Sequence, residues 1–299
     1  MNPGSTNPPL YVGKDAERLD ADKLKDEHAN PAHCQYFYDV DKEVYGEEGL
    51  VARLVTHCLD EDLVKKTAEY FRTVHGDGSN RGAGVGKDAM MYTERPDKTL
   101  SFTKRVPNSI IEKQRERGQF TDFLGWMDKS QLGDRFDYCR ETAWSLEDPE
   151  VLAAARDFVK AVDDVYKKYL PEQWQKQREF MDKVSKDFKF NDSVFSTVTV
   201  NRNKRFIYHR DKGDFRGGMG NLVVLEGGDD RAGAIVMPRY RVAFAPRPTD
   251  VLFMNVHELH GHLPLMGVER VTAVLYAREH LDECDVYKAT EEDLPENLR

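Results

Sequence analysis

Ser193-Val194-Phe195-Ser196-Thr197-Val198-Thr199-Val200-Asn201-Arg202-Asn203-Lys204-Arg205-Phe206-Ile207-Tyr208-His209-Arg210-Asp211-Lys212-Gly213-Asp214 is the stretch on which the fold turns. Its first half alternates like a half-buried strand, Asn201-Arg202-Asn203-Lys204 turns the chain, and a second short strand ends by presenting His209 and Asp211 with one residue between them. Residues i and i+2 of a strand share a face, so the imidazole and the carboxylate project to the same side. Such a pair supplies two ligands of a facial two-histidine, one-carboxylate metal site, which leaves positions open for a co-substrate and dioxygen. The tripeptide taken by itself is weak, and a surface His–Asp hydrogen bond is its plainer reading.

Downstream the pattern gains partners. Thr249-Asp250-Val251-Leu252-Phe253-Met254-Asn255-Val256-His257-Glu258-Leu259-His260-Gly261-His262-Leu263-Pro264 runs from a turn through a strand into a histidine cluster. Arg270-Val271-Thr272-Ala273-Val274-Leu275-Tyr276 is a further alternating strand with Arg270 and Thr272 on one face. His257-Glu258-Leu259-His260 is one residue short of the zinc-protease pattern, so helix geometry does not bring its imidazoles together. From the residues themselves, His257, His260 and His262 are equal candidates for a third ligand. A buried arginine at Arg270 needs a carboxylate, either an internal Asp or Glu or a bound acid held in bidentate geometry.

The order of these segments, strand with His-x-Asp, the hairpin Gly233-Ala234-Ile235-Val236-Met237-Pro238, Asp-x-Leu-Phe, His-Gly-x-x-Pro and Arg-x-Thr, resembles the core of the Fe(II)/2-oxoglutarate dioxygenases. Thr199-Val200-Asn201-Arg202-Asn203, followed by His209-x-Asp211-x-Gly213-Asp214, is similar to the TET/JBP group of nucleobase oxygenases, nearer its J-binding protein and bacteriophage thymine hydroxylase branch. The likeness is clear from Val194 to Glu279 and loose before that. It implies an α+β fold, with a double-stranded β-helix (jelly-roll, cupin-like) core buttressed by N-terminal helices. It implies His209, Asp211 and His260 as metal ligands, Arg270 as the anchor of the far carboxylate of 2-oxoglutarate, and Thr272 beside it where relatives often carry Ser. Asp214 stands where relatives contact a flipped pyrimidine, and Arg202 and Asn203 join it as expected substrate contacts.

The cofactors implied are Fe(II), 2-oxoglutarate and O2, with ascorbate as a stimulant. The partner implied is DNA, with thymine oxidised to 5-hydroxymethyluracil ahead of 5-methylcytosine. A carboxylate at Asp214 accepts a proton donor from either base. The reading from a different class is a non-enzymatic cupin-like module holding metal through His209, His260 and His262. Thr249 departs from the glycine usual before Asp250, a change that touches a turn.

A chain of 299 residues with 44 basic and 53 acidic side chains carries a net charge of −9, which does not itself suggest a nucleic-acid binder. Basic residues nevertheless crowd the site region: Arg202, Lys204, Arg205, Arg210, Lys212, Arg216, Arg239, Arg241 and Arg247. Cys34, Cys58, Cys139 and Cys284 are far apart without a CxxC pair, so four free thiols in a reducing, intracellular compartment are expected. No apolar run reaches bilayer length, no signal peptide pattern opens the chain, and no obligate protein partner is implied.

We expect one dioxygenase domain over 1–299, with a mobile tail or surface wrap over 1–31, a helix-rich part over 32–190, the catalytic β-core over 191–280 and a tail over 281–299. Gln35 to Val40 predicts a strand, and Gly49 to Val74 a helical pair or bent helix. Gly76 to Lys87 is glycine-rich, but Asp88 stands where a phosphate loop needs Ser or Thr, so a mobile loop is expected, with a possible grip on DNA. The aromatics between Met90 and Trp144 suit interior packing better than base stacking. Asp148-Pro149-Glu150 predicts the capped start of an amphipathic helix stopped by Pro171, with a second helix over roughly Glu172 to Lys186.

Overall fold

The structure, a computed structural model, describes residues 8–12, 21–76, 91–92, 104–105, 107–129, 138–227, 231–267 and 269–284. Its strands begin with β1 (Leu10–Tyr11), β2 (Tyr36–Tyr38), β3 (Lys42–Gly46) and β4 (Gly49–Val55), followed by helix α1 (Glu61–Phe71). Next come β5 (Met91–Tyr92), β6 (Lys104–Arg105), α2 (Asn108–Glu116), β7 (Phe120–Met127) and β8 (Arg140–Glu141). Three helices follow, α3 (Ala143–Glu147), α4 (Pro149–Tyr169) and α5 (Pro171–Met181). The last third holds β9 (Thr197–Arg202), β10 (Gly220–Glu226), β11 (Ile235–Met237), β12 (Val242–Phe244), β13 (Val251–Met254), β14 (Gly261–His262) and β15 (Val271–Tyr276).

Two sheets face each other. The larger has the order β1-β3-β4-β13-β10-β15-β9-β7-β8 and the smaller β14-β11-β12-β2. Alternation assigns each strand residue to a layer. Leu222, Val224, Leu252 and Met254 of the larger sheet meet Ile235, Met237, Val242 and Phe244 of the smaller one in the core between them. The opposite face of the larger sheet, through Val198, Val200, Val223, Phe253, Ala273 and Leu275, packs on α1 and α4. The outer face of the smaller sheet, through Val236, Ala243 and Ala245, is covered by Ala21 and Ala29 of the N-terminal segment. This sandwich of opposed sheets with helices on one side is the double-stranded β-helix architecture.

Several expectations need correction. Gly49–Val55 is a strand and not half of a helical pair, because β4 is paired on both sides, by β3 and β13. A strand buried on both faces reads as a continuous apolar run, and a short run of that kind matches a helical stripe equally well. The helix is confined to α1, whose Asp60 carboxylate caps Leu63 N at 2.9 Å. The expected short strand before His209 is reduced to isolated bridges, His209 with His260 and Asp214 with Arg278. α5 stops at Met181, short of Lys186. α4 begins as read, with Pro149 at its first turn and the Asp148 side chain accepting from Val151 N.

Residues 21–33 wrap the protein: Asp26 N donates to Tyr208 O and Tyr208 N to Glu27 O, and Asp22 pairs with Arg210 at 2.6 Å. The expectation of four free thiols is also corrected. Cys139 and Cys284 form a disulfide, with Cα atoms 5.9 Å apart and 145 residues between them in sequence, while Cys34 and Cys58 are free. The pairing is made by tertiary structure, which Cys spacing cannot reveal, so cysteine usage no longer argues for a reducing compartment. No helix among the described residues is long and apolar enough to cross a membrane. Residues 77–87 of the glycine-rich segment lie outside the described residues.

Candidate metal centre and pocket

Backbone pairing builds the centre. His209 N donates to His260 O at 2.9 Å and His260 N to His209 O at 3.0 Å, while Asp211 N donates to Val256 O at 3.0 Å. These bonds set the segment 209–211 against 256–260 and turn His209, Asp211 and His260 toward one point. Their ligand atoms all lie within 4.8 Å of one another. His209 Nε2 is 3.4 Å from Asp211 Oδ1, and His260 Nε2 is 3.8 Å from Asp211 Oδ2.

Each imidazole is oriented from behind. His209 Nδ1 is 2.8 Å from Ile207 O and His260 Nδ1 is 2.9 Å from Glu258 O, so each Nδ1–H donates to a carbonyl and each Nε2 lone pair faces its partners. Burial, reinforced by neighbouring His209, lowers the His260 pKa to about 4 and keeps the ring neutral, as a metal ligand must be. Two imidazoles and one carboxylate converging at a pocket suit a divalent iron.

The pocket runs inward between the sheets. Thr199 and Asn201 of β9, Leu222, Ile235, Met254, Val274 and Tyr276 line it with the three clustered residues. Arg270 and Thr272 lie on the interior parity of β15 and are 4% exposed each. Asn203, at φ 52°, fixes Arg270: its side-chain oxygen accepts from Arg270 N at 2.8 Å, and its own N–H donates to Arg270 O at 2.9 Å. The Arg270 guanidinium donates to Gly233 O, and its Nε is buried with no hydrogen-bond partner. It has no carboxylate among the described residues, and burial lowers its pKa to about 10. A planar cation left short of an anion fits a bound carboxylate.

Asp214 lines the same pocket and is 7% exposed. Across from it stands Arg278, paired with Asp128 at 2.6 Å. The sequence reading missed Arg278, Asp128, Thr199, Asn201 and Tyr276. For Thr199 and Asn201 the signal was the polar side of the alternating run Thr197-Val198-Thr199-Val200-Asn201, a buried strand whose residues 199 and 201 line the cavity. Arg202 does not reach the pocket; it contacts Arg72 O at 3.3 Å and Glu269 at 3.6 Å. Asn203 does not reach it either, its amide being engaged by Arg270 N and Gly118 O.

His257 stands outside the ligand cluster, and so does His262, although His262 lines the pocket. Of the basic residues expected to form a field for phosphate, Arg210, Arg216, Arg239 and Arg247 are paired with Asp22, Glu279, Glu258 and Asp39. Lys204 is buried against Gln114 at 2.6 Å. Exposed Lys212 stands at the pocket.

Opposed sheets with a facial His-Asp-His cluster and a buried arginine define the class of 2-oxoglutarate/iron oxygenases. Residues 125–279 match the Tet_JBP family, the oxygenase domain of the 2OGFeDO superfamily, and the chain belongs to that family. Over 205 residues it is 31% identical to thymine dioxygenase JBP1 of Trypanosoma brucei brucei, covering 63% of this chain and 24% of that protein. Over 147 residues it is 33% identical to the bifunctional helicase and thymine dioxygenase JBP2 of Leishmania infantum, covering 48% of this chain and 13% of that protein. The chain thus spans about a quarter or less of the length of these curated relatives. Among solved structures it is similar in fold to NgTET1 in complex with 5mC DNA, with a TM-score of 0.60 at 12% identity, over 95% of this chain and 88% of that one.

Proposed function

We propose that this chain forms one catalytic domain that hydroxylates the 5-methyl group of thymine in DNA, giving 5-hydroxymethyluracil. The observation that carries the reading is the convergence of His209, Asp211 and His260, together with a buried Arg270 that has no carboxylate partner among the described residues and an unpaired Nε. The thymine dioxygenase names of relatives at 31% and 33% identity favour thymine as the base. When bound, Fe(II) with 2-oxoglutarate and O2 supplies the oxidising power, releasing succinate and CO2 as a methyl group becomes an alcohol.

The chain's own residues do the rest. His209, Asp211 and His260 would hold the metal through their imidazole nitrogens and a carboxylate oxygen. Arg270 holds the distal carboxylate of 2-oxoglutarate, with Thr272 beside it. Apolar Leu222, Ile235, Met254 and Val274 exclude water from the reacting volume. Asp214 accepts the N3–H of the base, and Arg278, held by Asp128, lies opposite it at the pocket. A methyl inside a duplex is out of reach, so the nucleotide enters flipped or from a single strand.

The test is nucleoside mass spectrometry after incubation with Fe(II), ascorbate, 2-oxoglutarate and DNA containing thymine and 5-methylcytosine. The expected product is 5-hydroxymethyluracil, accompanied by succinate. His209→Ala, Asp211→Ala and His260→Ala each abolish it, whereas Asp214→Ala loses base oxidation and keeps part of the uncoupled succinate formation. Oxidation of 5-methylcytosine in place of thymine moves the assignment to that base. Metal binding without succinate leaves only a metal-binding module.

A further inference from the structure

The loop over residues 212–219, between the metal-cluster residue Asp211 and β10, carries Asp214 and specifies little of its own shape. Gly213, Gly217 and Gly218 leave its backbone freer than other residues would, so contacts from outside the loop must order it. Its first half is tied to the chain after β15, where Asp214 bridges to Arg278, Glu279 N donates to Gly213 O and Phe215 N donates to Ala277 O, both at 2.8 Å. Its second half is held by helices.

The Phe215 ring, next to Asp214 in the chain, stacks on Phe180 of α5 with centroids 4.4 Å apart and planes 11° from parallel. Both rings are half-buried. Met219 N donates to the Tyr166 hydroxyl of α4 at 3.0 Å, and that hydroxyl donates in turn to Gln177 Oε1 of α5 at 3.5 Å. Gln177 also closes the space beside Gly218, where a Cβ would run into its amide, and is fixed by donating to Val194 O at 2.7 Å. The Tyr166 ring packs against Phe195 and Phe253 and is fully buried, a role that phenylalanine would fill equally well. What the hydroxyl adds is a partner for the buried loop amide of Met219.

We propose that Tyr166 and Phe180 are positioning residues for the base: by fixing residues 215–219 from α4 and α5 they hold Asp214 at the pocket in the orientation that meets the pyrimidine. The proposal rests on the reading of Asp214 as a base contact. It gives two helices that cover the larger sheet a part in substrate recognition, through side chains that do not themselves line the pocket.

The test has two readouts. Hydrogen exchange of the Mn(II)-loaded Tyr166→Phe chain is expected to be faster over residues 213–220 and unchanged in β9 and β15, a pattern that a general loss of stability does not produce. With Fe(II), O2, 2-oxoglutarate and thymine-containing DNA, the same variant should form about threefold to tenfold less 5-hydroxymethyluracil per succinate, the size of one neutral hydrogen bond, at unchanged 2-oxoglutarate affinity. Phe180→Leu should behave likewise, whereas Phe180→Tyr keeps the stacked ring and should match wild type. An unchanged yield per succinate in Tyr166→Phe and Phe180→Leu, while Asp214→Ala loses it, overturns the proposal alone, whether or not the loop exchanges faster. A full yield per succinate in Asp214→Ala removes the base contact and the proposal together. Absence of succinate from the wild-type chain removes the dioxygenase reading on which both stand.

Discussion

Arg53, Arg278 and Arg270 are all taken out of water by this fold, and two of them bring a carboxylate along. Arg53 pairs with Glu43 at 2.8 Å and donates to Tyr169 O, and Arg278 pairs with Asp128. These are internal ion pairs of the kind that equally fitted Arg270 in the sequence. Arg270 differs because its Nε is left over, so its charge is compensated when a dicarboxylate binds. Arg270→Lys keeps the charge but loses the planar fork. The expected result is a fall in 2-oxoglutarate affinity of roughly tenfold or more with metal binding intact, read by titration of the Mn(II)-loaded chain. An unchanged titration removes Arg270 from the co-substrate site. A second residue-scale effect is backbone strain: Thr249 has φ 78°, a left-handed conformation unfavourable for a β-branched side chain. Its Asp250 neighbour caps the turn by accepting from His57 N and Arg247 N. Thr249→Gly should therefore stabilise the protein, by about 0.5–1 kcal/mol once the added chain entropy is subtracted. Thermal unfolding gives the sign, and a lowered midpoint would show that the Thr249 side chain supports the turn.

At the scale of elements, β7 and β9 approach so closely that a side chain is excluded. Gly125 of β7 has φ 100°, and a Cβ there would lie 2.2 Å from Ser196 O. Gly125→Ala is expected to cost about 2 kcal/mol or more, through both the conformation and the clash, seen as a lower urea midpoint. Retention of the wild-type midpoint would mean that the two strands separate freely. Such contacts were hidden in the sequence, where Gly125 is one glycine among several. What was legible had a local cause: the His209–Asp211 spacing, the Asp148-Pro149 helix start, and the parity of Arg270 and Thr272. What was not legible depended on neighbours. The run Leu50 to Val55 suited a helix until β3 and β13 closed on both of its edges. Thr199 and Asn201 were only the polar side of a half-buried strand in the sequence, and the second sheet turns that side into the lining of a cavity. Choosing His260 over His257 and His262 needed the family motif, because the residues offered all three and only the tertiary bridge to His209, with the cluster it closes, separates them.

For the molecule as a whole, the disulfide joins two distant parts of the chain at one end of the larger sheet. Cys139 precedes β8 at that edge, and Cys284 follows β15 two strands inward from β7, after the segment that carries Arg278. The link therefore ties together the two segments that hold the Asp128–Arg278 pair at the pocket. A loop spanning 145 residues loses much of its freedom when closed in the unfolded chain, and a native link of this kind typically contributes about 2–4 kcal/mol. The remaining thiols compete poorly for exchange, since burial pushes Cys34 up to about 11 and Cys58 up to about 12. Urea unfolding with and without a dithiol reductant should show a loss of stability of that size on reduction. Cys139→Ser should reproduce the loss and abolish the response to reductant, while Cys34→Ser should leave the response intact. If reduction leaves the midpoint where it was, Cys139 and Cys284 are neighbours that the fold holds together without help from the bond. If Cys139→Ser also spares stability but weakens DNA oxidation, the link acts on the Arg278 side of the pocket and not on the sheet.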